Sequence, residues 1–539
     1  MKKYLSFVLL FCFICPTCIS SKAGDQSLNV VVDPRLELLS IVQLLSGYGE
    51  KYRLITSYDF PYKRDILEYF SPYKGHSAVK LFAEMSAAGF TFDAPPGAML
   101  FLSDPPDLRL TMPFTEYLET RAGGSEKLER FVNALRDFAK DTQFMTFYSA
   151  HIGTYLQIVA NEKKKLEGTD YIGDLEKYYG LKQHSYNIIF VPLFVGGFGP
   201  RVEQPDGTYD IYNITGPRGI KNGLPEFGSA EGLKHVLLHE FSHSFINPIT
   251  ESFEEQISKY SSLYEPVSSR MKDQAYGDWM TCVNEHIIRA VTARFASLEK
   301  GKEAGDQRIL FEKRNGFFYV EPLCEQLKNY EAKRNIFPTI KDFYPEFIKV
   351  FKELSGKELG EDFFTVPLTP FTGTINNVSV DNKSVILIVP TNESDKAVEK
   401  KIHAYVKKVQ GLFFKDSPIL TDKEALNRDL SGNALFVYGT PKGNLWISQI
   451  LPKLPVRIES ERIVAEAIYQ GDRLRFITAW PNPQNPKRGV VIYTAQKAED
   501  VIGINSVFHG PTDYVVAKGT ESLKAADYKK QNGQWSFIK

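Results

Sequence analysis

The chain has 539 residues, with Lys plus Arg and Asp plus Glu equal at 65 each and 43% apolar residues. Zero formal net charge and no basic run leave no electrostatic footprint for nucleic acid, and the ordinary apolar-to-charged balance excludes a disordered chain. The length calls for more than one domain, and 38 Phe with 28 Tyr can fill a large core.

Lys2-Lys3, the apolar run to about Ile19 and the small residues at Ser21-Lys22-Ala23 fit a signal peptide over residues 1–23. The expected location is therefore secreted, periplasmic or cell-envelope. The apolar run is short for a membrane span. An anchor helix is one alternative. Lipidation at Cys15 or Cys18 is another, and with the segment read as a signal peptide it is the only expected route to membrane attachment. With Cys12, Cys15 and Cys18 in this segment, the mature chain keeps only Cys282 and Cys324. That excludes a disulfide framework and a multi-cysteine metal site; one disulfide or two buried thiols both fit.

Residues 30–140 read as mainly helical. Leu38, Ile41, Val42 and Leu45 form one apolar helical face after Asp33-Pro34, and similar patterns cover residues 64–70, 78–88 and 125–139. The helical pattern continues over 143–180. At Tyr186 the character changes: residues 187–195 are a β-rich run ending in Gly196-Gly197, and Pro205-Asp206-Gly207 is a turn before a strand over 209–214. A small antiparallel sheet is expected. A helix over 229–246, ended by Asn247-Pro248, follows, and then helices over 276–300, 318–334 and 340–354. The Gly-, Thr-, Pro- and Asn-rich stretch 355–380 separates a first domain, 24–366, from a second, 375–539. In the second, strand and helix patterns alternate, which predicts an α/β unit with a mixed sheet.

The chemistry lies in His239-Glu240-Phe241-Ser242-His243. Two His four apart project from one face of a helix and can reach one zinc ion, and Glu240 between them can take a proton from zinc-activated water. His235, one turn earlier, reads as an exposed side chain in preference to a supporting group. The extended pattern with Gly at 246 and a third His at 249 is absent, since both positions are Ile. A third ligand must then be a later carboxylate: Glu251, Glu254, Glu255, Glu265, Asp278 or Glu285. Glu285 leads because it lies on a polar stripe of an otherwise apolar helix, with Arg289 one turn on; Glu265 is next. His286, Tyr319 and Arg289 are the candidates for stabilising an oxyanion, with Tyr319 slightly preferred. The strand over 187–195 is the expected cradle for an extended substrate, its glycines allowing close approach.

HEFSHSFINP and WMTCVNEHIIRA, with VDPRLELLSIVQLLSGY and HSAVK, resemble the secreted bacterial family catalogued as domain of unknown function 4932, over about residues 29–355. At motif level the pattern is similar to gluzincin peptidases. That resemblance implies an α+β, mainly helical, zincin-like domain holding Zn2+ through His239, His243 and Glu285, with Glu240 as base.

Phe436–Asn444 is a strand, a Gly-containing turn and a helix start. Such a turn could cradle a phosphate, but it lacks the phosphate-loop and dinucleotide fingerprints, so this second unit is expected to pack on the first or to bind a partner. The functional expectation is a zinc metallopeptidase acting on peptides or proteins outside the cytoplasm. The alternative is a catalytically weak surface-interaction protein that retains the metal site.

Overall fold

The computed structural model describes residues 28–539 apart from 275, 365–370, 372, 379–383, 510–511, 532–533 and 539. The expectations for residues 1–23 lie outside the described residues. No helix among the described residues is long and apolar enough to cross a membrane. The fold is mixed α+β and mainly helical in its first part.

Strand β1 (Asn29–Val31) leads into the helix Pro34–Leu45. Asp33 caps that helix by accepting from the Arg35 N–H at 2.8 Å, and Pro34 at its first turn gives up no needed donor. Leu38, Ile41, Val42 and Leu45 are buried, as their spacing requires. Further helices run to Tyr171–Tyr179 before the chain enters β2 (Ser185–Phe190), β3 (Gly197–Phe198), β4 (Arg201–Glu203) and β5 (Tyr209–Thr215).

The sheet order is β1-β2-β5-β3, with β4 also on β5. The sheet is mixed and not antiparallel: β1, β2 and β5 run parallel, while β3 and β4 oppose β5. The local turn at Pro205-Asp206-Gly207 specifies only the β4–β5 hairpin. The parallel pairs arise because the whole helical N-terminal region and the long 191–208 connection act as crossovers, which local patterning does not report. The run expected to cradle substrate is thus an interior strand, with Tyr186 to Phe190 buried throughout. The edge falls to β3.

The helix carrying the two histidines runs from Ala230 to Ser252, straight through Pro248, instead of stopping at Asn247. Proline there frees the Ser244 carbonyl. That carbonyl accepts from Gln183 Nε2 at 3.2 Å, so the lost bond is replaced. Beyond the proline, Tyr344 Oη donates to Thr250 Oγ1 at 2.6 Å and ties down the last turn. Phe241 and Phe245 pack on Tyr186 and Tyr179, the latter pair stacked at 4.5 Å. A short hairpin, β6 (Gly219–Lys221) and β7 (Leu224–Glu226), precedes this helix.

One apolar core runs from Val30 to Leu354. The second part is built on β8 (Val385–Val389), β9 (Ile419–Thr421), β10 (Ala434–Tyr438), a small sheet β11 to β13 (Arg457–Ile458, Arg462–Val464, Ile468–Gln470), then β14 (Leu474–Asn482), β15 (Asn485–Ala495), β16 (Tyr514–Lys518) and β17 (Glu521–Ala526). Its seven-stranded sheet has the order β17-β16-β14-β15-β10-β8-β9, parallel from β9 to β15 and antiparallel beyond. The mixed α/β expectation fits, and separate apolar clusters cover the two faces. Phe508 packs against the first core, and Asn222 N–H of the β6–β7 hairpin donates to Glu521 Oε1 at 3.1 Å.

Glu37, on the first helix, is fully buried and accepts from Tyr62 Oη at 2.5 Å. Burial pushes its carboxyl from 4.5 up to about 8. The folded state therefore holds a proton that the unfolded chain releases above about pH 4.5. Stability from this group is complete below pH 4.5 and falls as pH rises to about 8. Glu37→Gln should remove a slope of about 1.4 kcal/mol per pH unit across that window. Urea unfolding of both proteins at pH 5, 6.5 and 8 measures it; identical slopes would refute the assignment.

Candidate metal centre

Two buried helices face each other at the centre of the first core. The metal helix Ala230–Ser252 presents His239 and His243 on one face, one turn apart. The helix Trp279–Lys300 is capped by Asp278, which accepts from the Thr281 N–H at 2.8 Å, and buries Cys282, Val283, Ile287, Ala290 and Val291. Its Glu285 carboxylate points back at the histidines. His239 Nε2 and His243 Nε2 lie 3.3 Å apart, 3.7 Å and 3.4 Å from Glu285 Oε2 and Oε1 respectively. Glu285 is 5% exposed at the side chain, against 13% for His239 and 18% for His243. These three ligand atoms lie within 4.8 Å of one another and could hold a metal ion.

The donor chemistry fits a cation. Two imidazole nitrogens converge at hydrogen-bond distance beside a carboxylate, and burial pulls His239 well below the ordinary imidazole value, so its lone pair stays available. The other ring nitrogen of His243, Nδ1, faces Asn247 Oδ1 at 3.3 Å, which fixes the ring. Asn247, expected only to end the helix, is thus part of the site.

Behind Glu285 lies a buried ionic chain. Arg289 Nη2 meets Glu285 Oε2 at 3.0 Å, and its Nη1 meets Glu312 Oε2 at 2.9 Å. Glu312, fully buried on the helix Lys302–Arg314, also faces Arg308 Nη2 at 2.5 Å. Arg308 Nη2 then reaches His235 Nε2 at 2.6 Å. His235 is therefore engaged and not exposed as expected. Burial disfavours the Arg289 charge, but Glu312 and then Glu285 hold its pKa above the usual value. The guanidinium also lies 3.9 Å over the Phe317 ring. Neither Arg308 nor Glu312 gave a sequence signal beyond an ordinary i,i+4 surface pair.

The Glu240 side chain lies against the sheet edge at Gly197 and Gly199. A Cβ at Gly199 would lie 2.7 Å from Glu240 Oε2 and 3.1 Å from its carbonyl oxygen; one at Gly197 would lie 3.9 Å from Oε1. Only a residue without a side chain at position 199 lets this edge come so near. Burial pushes the Glu240 carboxyl up; His243 opposes this, and Glu285 reinforces it.

The remaining candidates fall elsewhere. Glu265 is exposed, on the turn Ser261–Val267. Glu251, Glu254 and Glu255 are exposed too, Glu251 pairing with Arg201 at 3.0 Å. Tyr319 is buried and spends its hydroxyl hydrogen on the Leu263 carbonyl at 2.6 Å, so it is not placed to serve an oxyanion. His286 Nδ1 lies 2.7 Å from the Cys282 carbonyl, and Arg289 is committed to its carboxylates. Tyr276, which the sequence did not single out, lies beside Arg289. Its half-buried hydroxyl accepts from Arg289 Nη2 at 3.2 Å, and burial, Glu285 and Glu240 all raise its pKa, keeping the proton on. Cys282 and Cys324 are free, buried thiols.

In the second part, the turn after β10 does not await a phosphate. Glu393 fills it, accepting from Thr440 N–H and Thr440 Oγ1, each at 2.8 Å, and a Cβ on Gly443 would overlap that carboxylate at 1.9 Å.

Metal analysis of the purified protein should find about one ion per chain, lost in the His239→Ala, His243→Ala double variant. Glu285→Ala should weaken binding strongly and Glu265→Ala should not; equal affinities in these two would exclude Glu285 as a ligand. Glu312→Ala leaves two buried guanidinium groups short of a partner. It should cost about 3–5 kcal/mol in urea unfolding, and a loss below about 1 kcal/mol would mean the ionic chain is not structural.

The model of the family described as domain of unknown function DUF4932 matches residues 28–350, which takes in β1, the edge strand and both helices of the metal group. No curated protein and no solved structure matches the chain. With more than half its length matched, and the whole His239–His243–Glu285 group inside the match, the chain belongs to the DUF4932 family.

Proposed function

We propose that this protein is a zinc-dependent metallopeptidase of zincin-like fold that hydrolyses peptide bonds outside the cytoplasm. The observation that carries the reading is the placement of Glu240. It stands between two converging imidazoles and a glycine-lined, antiparallel sheet edge, where a base for water and a binding strand for an extended peptide would have to be.

His239, His243 and Glu285 would hold the zinc. When bound, zinc polarises a carbonyl and makes water a nucleophile near neutral pH. Glu240 would take the proton of the attacking water as the carbon–oxygen bond forms. It would return that proton to the leaving nitrogen as the carbon–nitrogen bond breaks, and its raised pKa suits a group that must both accept and release. Tyr276, whose O–H has no acceptor among the described residues, would donate to the carbonyl oxygen as charge builds there. Arg289 orients both: it holds Glu285 through one arm and fixes the Tyr276 oxygen through the same terminal nitrogen. The edge of β3, which pairs with no further strand among the described residues, would align the substrate backbone.

Glu240→Gln should keep metal content and thermal stability while abolishing turnover of a broad peptide library. Tyr276→Phe should lower kcat by about 10²-fold with little change in KM, the signature of a transition-state donor. A zinc-loaded wild type that cleaves no peptide in such a library would overturn the peptidase reading and leave a metal-holding binding protein.

A further inference from the structure

Arg218 is a cation outside the ionic chain whose charge acts on Glu240. It follows β5 by three residues, and its backbone is pinned on two sides: its N–H donates to the Glu226 carbonyl at 2.7 Å, and its carbonyl accepts from Tyr58 Oη at 2.9 Å. The side chain is half-buried and passes close to Gly228, where a Cβ would stand 3.6 Å from its Cγ. Yet the guanidinium makes no hydrogen bond or ion pair among the described residues. Arg35, Arg121, Arg289 and Arg294 in the same unit all meet carboxylates. Burial lowers the Arg218 pKa; Tyr58 and then Glu240 act against this, so Glu240 is the carboxylate whose field reaches it. A half-desolvated guanidinium with a fixed backbone and no protein acceptor is built for a ligand, and its fork geometry matches a carboxylate.

Strand direction says which end of a peptide it would meet. Gly197 pairs with Thr215 and Phe198 with Ile214, so the chain leaving β5 toward Arg218 lies at the Gly196–Gly197 end of β3. The Gly216 N–H donates to the Gly196 carbonyl at 2.9 Å and holds the connection there. A peptide added antiparallel to β3 runs with its C-terminal end toward that same end. We propose that Arg218 is a specificity-determining residue that binds a substrate carboxylate on the C-terminal side of the cut bond. Its source is either the free α-carboxylate of a short peptide or the side chain of an Asp or Glu. This rests on the peptidase reading for its catalytic consequence, whereas carboxylate binding itself does not need turnover.

The test uses zinc-loaded full-length Glu240→Gln protein and the same protein carrying Arg218→Gln or Arg218→Lys. Metal content and thermal midpoint are checked for each. Calorimetric binding is measured for pentaalanine acid, pentaalanine amide, and an amide of the same length with Glu at the fourth position. The acid or the Glu amide should bind about 10- to 100-fold more tightly than pentaalanine amide, and whichever does identifies the source. Arg218→Gln should erase that preference, and Arg218→Lys should retain part of it, keeping charge but losing the fork. Equal binding of all three probes, or a preference unchanged in both Arg218 variants, overturns the proposal. Absence of turnover in the wild type would instead strike the peptidase reading and leave these binding results to stand by themselves.

Discussion

The Glu285–Arg289–Glu312–Arg308–His235 chain is the constraint on which the metal group depends. Glu285 sits at 5% side-chain exposure, where a bare carboxylate is strongly disfavoured. Arg289 neutralises its Oε2 from one side, which leaves Oε1 facing His243 at 3.4 Å. Arg289 in turn needs Glu312, because it is buried among Phe317, Tyr276 and the helix Lys302–Arg314. Arg308 completes the chain and returns it to His235, one turn before His239 on the metal helix. Three helices are therefore joined, two by ion pairs and the third by the Arg308–His235 hydrogen bond. Removing any middle member strands a charge, so the helices cannot shift relative to one another without a cost of several kcal/mol. That rigidity keeps three ligand atoms within a few ångströms before any ion arrives.

How much of this could be read in the sequence differs residue by residue. His239, Glu240 and His243 were legible because helical periodicity alone puts 239 and 243 on one face. Glu285 was legible because a charged stripe on an apolar helix demands partners. Glu312 and Arg308 were not, since nothing local separates a buried i,i+4 pair from a surface one. Pro248 misled in a specific way. It reads as a stop because it removes a helix donor, but the Ser244 carbonyl it frees is capped from far away in sequence by Gln183. The helical segments and the mixed sheet of the second part were legible because their apolar patterns are long; the strand order of the first sheet was not. Parallel pairing of β1 with β2 joins Asn29 to Asn187, a contact that no local pattern encodes.

Tyr276 and Tyr319 show the same limit at single-residue scale. Both are aromatic residues near turns that border the helix of Glu285. Tyr319 donates its hydroxyl hydrogen to the Leu263 carbonyl and is core; Tyr276 accepts from Arg289 and has no acceptor for its own hydrogen among the described residues. Composition and spacing cannot tell a satisfied hydroxyl from an unsatisfied one, because the deciding acceptor comes from another element.

The second part of the chain bears on the site through the β6–β7 hairpin. That hairpin holds Arg218 by its Glu226 carbonyl, and its turn is held in turn by Glu521 on β17. Phe508 meets the same hairpin, since a Cβ on Gly219 would stand 4.0 Å from Phe508 Cβ. The turn after β10, which looked able to take a phosphate, is closed by Glu393. With that cradle filled from within, what this part visibly does is brace the segment that carries Arg218. A hairpin as short as β6–β7 is marginal without support; with Tyr58 holding the Arg218 carbonyl at its start and β17 holding its turn, it becomes a fixed wall at the Gly196–Gly197 end of β3. On the proposed reading, the first part of the chain holds the cation and the base, while the second, through this wall, fixes where a substrate carboxylate is met.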